Sequence, residues 1–194
     1  MYELPTEMEI NGNLVYKIRN RGDYRTILGC FSVLEDVDLD QTERILASLI
    51  IFYEDFNDIS DIYSCPCVNE LVKKMYWFFR GGKEEDSSPR NSRKLVDWEG
   101  DSDIIVSAIN KVAGTEIRAL NYMHWWTFLA CYMSIGESVL STVVSIRDKV
   151  SRGKKLEKWE RDYKNQNPQY FRWRSKTVDE LEAEAWLKEV WNKE

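Results

Sequence analysis

The chain has 194 residues, of which 43% are apolar and 31% are charged, and it carries a formal net charge of −6 with a single histidine, His124. This length and apolar content predict one globular domain, or at most two, and exclude a chain that is disordered or membrane-spanning throughout. A single imidazole excludes any site that needs two histidines, so catalysis would have to rely on carboxylates, cysteine or lysine.

The first predicted element is a β-hairpin over residues 7–18. Two short strand-like segments, 8–10 and 14–18, flank the dipeptide Asn11-Gly12, which tolerates the positive φ angles of a tight turn. The change to a helical period after this segment indicates that the hairpin stands alone at the N-terminal end of a helical chain.

Three amphipathic helices are predicted next. Asp23 is a candidate N-cap for a helix that ends near Asp36, and Asp40 with Glu43 has the spacing of a capping box for a second helix. A third helix is predicted over residues 67–80, because apolar residues recur at helical spacing and two glycines follow. Each of these helices should bury one face.

A polar loop divides the predicted helices into two groups. Residues 81–94 contain no apolar side chain and carry helix breakers and charge, which predicts a mobile surface loop. Beyond it, the apolar period predicts helices over about 103–113, 120–135, 139–150 and 154–165. The helix over 120–135 is apolar on nearly every face, which is typical of the central helix of a domain.

The last predicted helix covers residues 177–194. It begins at a capping-box pair, Thr177 and Glu180, and its apolar stripe includes aromatic anchors of the kind that dominate interface energetics. The stripe residues that we select as a partner or self-association surface are Trp186, Leu187, Val190 and Trp191. The predicted fold is therefore mainly α: a compact domain over residues 1–176 with about seven or eight helices behind a short N-terminal β-hairpin, followed by this amphipathic helix.

No cofactor or metal site is predicted. Cys65-Pro66-Cys67 leaves one residue between the thiols where metal-binding pairs usually leave two or more, which favours a helix-entry turn over a metal or redox site. The acidic run over residues 54–61 fails the calcium-loop pattern at three positions. Gly82-Lys83 lacks the first glycine and the Ser or Thr of a phosphate-binding loop.

Several features favour a cytoplasmic location. The first residues lack a basic start followed by an apolar run, so we expect no secretory signal. The longest nearly unbroken apolar stretch, 46–53, is far shorter than the ~20 residues that cross a bilayer, so no membrane partner is expected. Four cysteines in a chain of this size fit a reduced protein without a disulfide framework.

Charge is distributed unevenly along the chain. Residues 147–176 carry eleven basic and four acidic side chains, so this segment has a charge of +7 and the rest of the chain −13. The pattern is compatible with nucleic acid, with an acidic protein face, with the acidic part of a second copy, or with a merely solvated helix. The candidate contact residues in this segment are Lys154, Lys155, Trp159, Arg172 and Arg174.

Three motifs follow one another in a recognisable order. They are Tyr-Trp-Phe-Phe-Arg-Gly-Gly-Lys at 76–83, Lys-Leu-Val-Asp-Trp at 94–98 with Asp-Ser-Asp-Ile-Ile at 101–105, and Met-His-Trp-Trp-Thr-Phe at 123–128. In this order they resemble the bacteriophage gene-product-fifteen family, and the likeness extends more weakly from about residue 23 to about residue 170. The chain departs from the family at Gly82, where Cys is common.

The resemblance implies a protein of long-tailed phages or prophages, encoded just before the tape measure protein. Such a tail assembly chaperone binds the tape measure protein and keeps it soluble while subunits of the tail tube protein, a further candidate partner, polymerise around it. The resemblance also implies a non-enzymatic, self-associating helical protein of the host cytoplasm that is absent from the finished virion. The motif residues that we assign to the core are His124, Trp125, Trp126 and Phe128.

Two other classes of function remain open from the sequence. A nucleic-acid-binding regulator could use the basic segment 147–176, although the net acidity of the chain argues against nucleic acid as the partner. An enzyme is the third hypothesis, and no constellation of residues supports it.

Overall fold

A computed structural model describes residues 3–84 and 94–172 of the chain. Within these ranges it has eight α-helices and one two-stranded antiparallel sheet at the N-terminal end. The predicted fold class, mainly α with a short N-terminal hairpin, is therefore confirmed.

The hairpin joins strand β1 (Glu7–Ile10) to strand β2 (Leu14–Lys17). Its register pairs Glu7 with Lys17 and Ile10 with Leu14, so Met8 and Ile10 share the face that is buried in the core. Asn11 and Gly12 take φ angles of 53° and 75°, as the turn dipeptide predicts.

Helices α1 (Tyr24–Leu34) and α2 (Gln41–Phe52) pack against each other. The side chain of Asp23 caps α1 by accepting from the backbone N–H of Arg25, and the predicted capping box between Asp40 and Glu43 is present at the start of α2. Both caps were predicted correctly, because a cap depends on residues only two or three positions apart.

A short helix that the apolar pattern did not predict, α3 (Ile59–Tyr63), precedes α4 (Val68–Phe79). The acidic run near α3 serves as a helix cap, because the Asp58 carboxylate accepts from the backbone N–H groups of Ser60 and Asp61. Helix α4 ends at two glycines with positive φ angles, in agreement with the predicted stop.

Four helices follow in the second half: α5 (Ser102–Ala113), α6 (Trp125–Met133), α7 (Val139–Ser151) and α8 (Lys158–Gln166). The prediction that one helix runs from residue 120 to 135 is wrong at its start. The chain between α5 and α6 instead forms a 3₁₀ turn and an extended segment.

Helix α6 is not the all-round buried central helix that its composition predicts. Trp125 and Phe128 are buried, but Met133 is 70% exposed and Thr127 and Ala130 are also exposed. Helix α6 therefore lies at the edge of the core and buries one face. Its high apolar content reflects large side chains that reach sideways onto α4.

The core is built from the hairpin and from α1 to α7. Its largest fully buried side chains come from α2 with its C-cap, from α4 and from α6, and they are Trp125, Tyr53, Phe52, Phe78 and Phe128. Aromatic rings meet mostly edge to face, as in the pair of Phe52 with Phe78 at a centroid distance of 5.3 Å. No helix in residues 3–84 and 94–172 is long and apolar enough to cross a bilayer.

Candidate functional site

His124 is the N-cap of α6 and is fixed by hydrogen bonds at both ring nitrogens. Its Nδ1 accepts from the backbone N–H of Trp126 at 3.0 Å, and its Nε2 lies 3.0 Å from the carbonyl oxygen of Pro5. Because a carbonyl can only accept, Nε2 carries the proton and the imidazole is neutral. The side chain is 1% exposed, and burial lowers its pKa against the opposing effect of the Pro5 carbonyl. Both ring nitrogens are thus engaged in hydrogen bonds within the fold.

The chain before His124 is held by the start of α1. The carboxylate of Asp23 accepts from the backbone N–H of Met123 at 2.9 Å, and the backbone N–H of Tyr24 donates to the Met123 carbonyl at 2.9 Å. One buried carboxylate therefore caps α1 and anchors the segment that leads into α6. This arrangement sets the first residue of α6.

The two tryptophans that follow His124 close the C-terminal end of α4. Trp125 Nε1 donates to the carbonyl oxygen of Phe79 at 3.0 Å, and Trp126 Nε1 donates to that of Phe78 at 2.9 Å. The last carbonyls of a helix have no partner within the helix, and Trp125 supplies a donor to that of Phe79. The Phe78 carbonyl accepts from Trp126 and also from the backbone N–H of Gly81 at 3.0 Å. Trp125 is buried in the core, as assigned from the sequence, whereas Trp126 is only half-buried.

Two glycines allow this centre to pack closely. A Cβ added at Gly22, where φ is +75°, would lie 2.7 Å from Phe78 Cζ and 3.2 Å from His124 Nε2. A Cβ at Gly82, where φ is +79°, would lie 2.7 Å from Trp126 Cη2. Gly82, where the resemblance leads us to expect Cys, thus lies beside a motif residue. The residues around His124 form a filled, hydrogen-bonded structural centre.

The basic segment is organised by a buried ion pair between Arg147 on α7 and Asp101 at the start of α5. Arg147 Nη1 lies 2.5 Å from Asp101 Oδ2, and Nη2 lies 2.9 Å from Oδ1. The same guanidinium donates to the carbonyl oxygens of Leu95, at 3.0 Å, and Tyr170. Arg147 therefore ties the end of the described chain to the core and is not available to a partner.

Two further cations of the segment form internal ion pairs. Lys149 Nζ lies 2.5 Å from the buried Glu160, and this ammonium holds the pKa of Glu160 below its ordinary value. Arg152 Nε lies 2.8 Å from Asp148, one helical turn earlier. The charge excess of the segment thus overstates the charge that it presents to a partner.

Several of the remaining cations neighbour an exposed tryptophan in the chain, where α7 turns into α8. Trp159 is 53% exposed, and its Nε1 donates to Glu157 at 2.8 Å, which restrains the ring at the surface. The exposed cations near it in the chain form no ion pair with another described residue. We call the following exposed set the basic corner: Lys154, Lys155, Lys158, Trp159 and Arg161.

The candidate residues fall into three groups. Lys154, Lys155 and Trp159 are exposed in the basic corner, Arg172 is exposed after the 3₁₀ turn that follows α8, and the motif residues lie in or beside the core. The residues outside the described ranges are Arg174, Trp186, Leu187, Val190 and Trp191, together with the rest of the helix predicted over 177–194 and residues 85–93 of the predicted loop.

Sequence reasoning missed the two aspartates that organise these regions. Asp23 was predicted only as the N-cap of α1, and Asp101, whose side chain does not cap α5, was identified only as part of a motif. No sequence signal identified these pairings, because the chain has many aspartates and only the structure shows which carboxylates are buried against a distant arginine or backbone amide. Within the described ranges, no group of three or more His, Cys, Asp or Glu side chains could hold a metal ion.

Comparison with known proteins places the chain in a family. The model of the family described as Bacteriophage Gp15 protein matches residues 1–172. No curated protein and no solved structure matches the chain. The family match spans all three motifs and both helices that the basic corner connects.

Proposed function

Because the chain belongs to the Bacteriophage Gp15 protein family, we propose that it is a phage tail assembly chaperone, a non-enzymatic protein that binds the tape measure protein. The support for this role is the order of the three motifs, which resembles that of proteins encoded before the tape measure gene. Such a role needs a surface for a long helical partner and needs no catalytic group.

The observation that carries the binding part of the proposal is the basic corner. Trp159 offers a large aromatic face that is held by Glu157, so little side-chain entropy is lost when a partner covers it. Lys154 and Lys155 are exposed beside it in the chain and would steer an acidic partner. The partner that fits this chemistry is an amphipathic helical segment with an acidic flank.

The ion pairs beneath the corner support a binding role over a merely solvated one. Lys149 with Glu160 and Arg147 with Asp101 fix α8 and the following turn against α7 and α5. A rigid support of this kind preorganises the exposed side chains before a partner arrives.

A nucleic-acid-binding regulator is the second candidate. The exposed cations around Trp159 are the observation in its favour, because lysines meet phosphates and an aromatic ring stacks on bases. Against it, Arg147, Lys149 and Arg152 are engaged in internal ion pairs, and the whole chain is acidic. The protein partner is therefore favoured.

Co-expression with the tape measure protein of the same phage tests the chaperone proposal. We expect the full chain to raise the soluble fraction of the tape measure protein and to co-purify with it. The triple variant Lys154→Glu, Lys155→Glu, Trp159→Ala should weaken this association by about tenfold or more, since an aromatic anchor is typically worth ~2 kcal/mol. Tyr63→Ala, which removes a 75% exposed aromatic on α3, is the matched control.

The two candidate functions predict different outcomes for the same variants. Failure of the intact chain to associate with the tape measure protein would overturn the chaperone proposal. Binding to a DNA fragment that weakens steeply with added salt, and that the triple variant loses, would favour the regulator. Circular dichroism of each variant tests whether a lost interaction comes from unfolding of the variant.

Location and assembly state belong to the same proposal. We expect the protein in the host cytoplasm during infection and absent from purified virions, which mass spectrometry of the particles can check. We also expect self-association, and analytical ultracentrifugation of the purified full chain measures it. A single copy per particle detected in mature virions would contradict the assembly role.

A further inference from the structure

Two cysteines and a tyrosine meet where the hairpin touches the entrance to α4. Cys65 Sγ and Cys67 Sγ lie 3.3 Å apart, and the Tyr16 hydroxyl lies 3.3 Å from each of them. Tyr16 is on β2, so the cluster joins residues about fifty positions apart. The spacing of the cysteines favours a simple helix-entry turn, and the sequence does not reveal the distant hydroxyl.

The surroundings of the two thiols differ. Cys65 is half-buried and accessible to a small reagent, whereas Cys67 is buried. Burial alone would raise the pKa of the Cys65 thiol, but hydrogen bonds from the Tyr16 hydroxyl and from Cys67 lower it overall. Burial and the neighbouring Cys65 raise the pKa of Cys67. The half-buried thiol of Cys65 is thus the more readily deprotonated of the two, and the buried thiol of Cys67 lies beside it.

We propose that Cys65 and Cys67 form a thiol–disulfide exchange site whose reactant is a low-molecular-weight disulfide. The contact of the two sulfurs at 3.3 Å carries this proposal, because closing it to a bond of about 2.05 Å requires only a small movement. Tyr16 is a positioning residue that donates to the attacking sulfur.

The exchange proceeds in two balanced steps. The Cys65 thiolate attacks one sulfur of the reagent, which forms a mixed disulfide and releases the other half of the reagent as a thiolate. Cys67 then loses its proton to solvent, and its thiolate attacks Cys65 Sγ, which forms the Cys65–Cys67 disulfide and releases the second reagent thiolate. Both released thiolates take up protons, so two electrons pass from the protein to the reagent.

The other two cysteines provide internal controls. Cys30 is fully buried on α1, and burial raises the pKa of its thiol to about 12, so we expect it to remain reduced. Cys131 lies on α6 and, within the described residues, has no second cysteine beside it. Neither can form the disulfide that the cluster allows.

The test treats the reduced full chain with oxidised glutathione, denatures it in alkylating reagent and maps each cysteine by mass spectrometry. We expect a product lighter by two hydrogens, with Cys65 and Cys67 protected and Cys30 and Cys131 alkylated. Cys67→Ser should instead accumulate a glutathione adduct at Cys65, because the second step is blocked. Continued alkylation of both Cys65 and Cys67 in the wild-type chain would overturn the proposal.

A second variant tests the role of the tyrosine. Tyr16→Phe should slow the first step by roughly threefold to tenfold near neutral pH and shift its pH profile upward, because the attacking thiolate loses a hydrogen bond. Tyr63→Phe, which removes an exposed hydroxyl on α3, should leave the profile unchanged. An unchanged pH profile in Tyr16→Phe would overturn the positioning role of Tyr16. Oxidation of Cys131 in the wild-type chain as fast as that of Cys65 would overturn the selectivity.

Discussion

Trp126 donates its indole N–H to the carbonyl oxygen of Phe78 at 2.9 Å, and the two rings lie 5.7 Å apart. This contact joins the first turn of α6 to the last turn of α4. It explains why the motif at 76–83 and the motif at 123–128 occur together, since each supplies the partner that the other lacks. The shared function of these two motifs is to close a helix end.

Removing either indole N–H should therefore lower the free energy of unfolding. We expect Trp125→Phe and Trp126→Phe each to cost about 1–3 kcal/mol, because a helix-terminal carbonyl loses its hydrogen bond and packing area is lost. The Trp125 variant should lie at the upper end, since its hydrogen bond is buried, whereas the Phe78 carbonyl keeps the backbone N–H of Gly81 as a donor when Trp126 is replaced. Urea denaturation monitored by circular dichroism measures the free energy of unfolding of each variant. Trp159→Phe, at the surface, should change stability by under about 0.5 kcal/mol.

The cap made by His124 predicts a stability loss in mild acid. Burial lowers the pKa of His124 below the ordinary 6.5, so between these values the unfolded chain binds more protons than the folded one. Stability should be constant above about pH 7.5 and fall as the pH drops below 6.5, with a slope of at most about 1.4 kcal/mol per pH unit. Thermal unfolding at pH 7.5, 6.5 and 5.5 checks this.

The single histidine simplifies the assignment of this pH dependence. No other imidazole is present, so a step in this pH range is assigned to His124. His124→Asn keeps an acceptor at the N-cap but has no group that titrates there, and its stability should be flat across the range. A step of equal size in this variant would contradict the assignment.

The buried ion pair of the basic segment predicts a large asymmetry between two arginines. Arg147→Met should cost about 3–5 kcal/mol, because it leaves the carboxylate of Asp101 buried without its cation. Arg152→Met removes a pair that is largely exposed, and it should cost about 0.5 kcal/mol or less. Equal losses in the two variants, measured by urea denaturation, would show that the Arg147 pair is not a structural anchor.

Gly22 and Gly153 provide a matched pair for separating backbone strain from close packing. Both have positive φ angles, +75° and +65°, but only a Cβ at residue 22 would meet Phe78, at 2.7 Å. Gly153→Ala should cost about 1 kcal/mol, the usual penalty of a left-handed alanine. Gly22→Ala should cost at least about 2 kcal/mol more, because a buried ring must also move. Thermal unfolding of both variants separates the cost of the left-handed backbone from the cost of the close contact with Phe78.

Local patterns predicted most of the helices correctly. The capping box of Asp40 with Glu43 and the glycine stop after α4 both depend on neighbours in the chain, and both are present. The start of α6 was predicted five residues too early, at Leu120 instead of Trp125. The apolar residues before His124 match a helical period, but the backbone at Met123 pairs with Asp23 and Tyr24 from the other half of the chain.

In the candidate site, too, features that depend on neighbouring residues could be predicted, whereas contacts between distant residues could not. The exposure of Trp159 and the lysines beside it follows from a polar helix with few apolar residues, which the sequence displays directly. Arg147 was counted among the surface charges, because a sequence cannot tell a solvated arginine from one that meets a buried carboxylate. The pairing with Asp101 bridges forty-six positions, beyond the reach of any local pattern.

The bond between Asp23 and the Met123 amide spans one hundred positions of the chain. While the protein is being synthesised, α1 and α4 can form early, but the carbonyls of Phe78 and Phe79 lack their indole donors until Trp125 and Trp126 leave the ribosome. Closure of a loop of this length is slow compared with helix formation, so the centre should form late in folding. In pulse-labelling hydrogen exchange during refolding, the amide of Met123 should gain protection after those of α1 and α4.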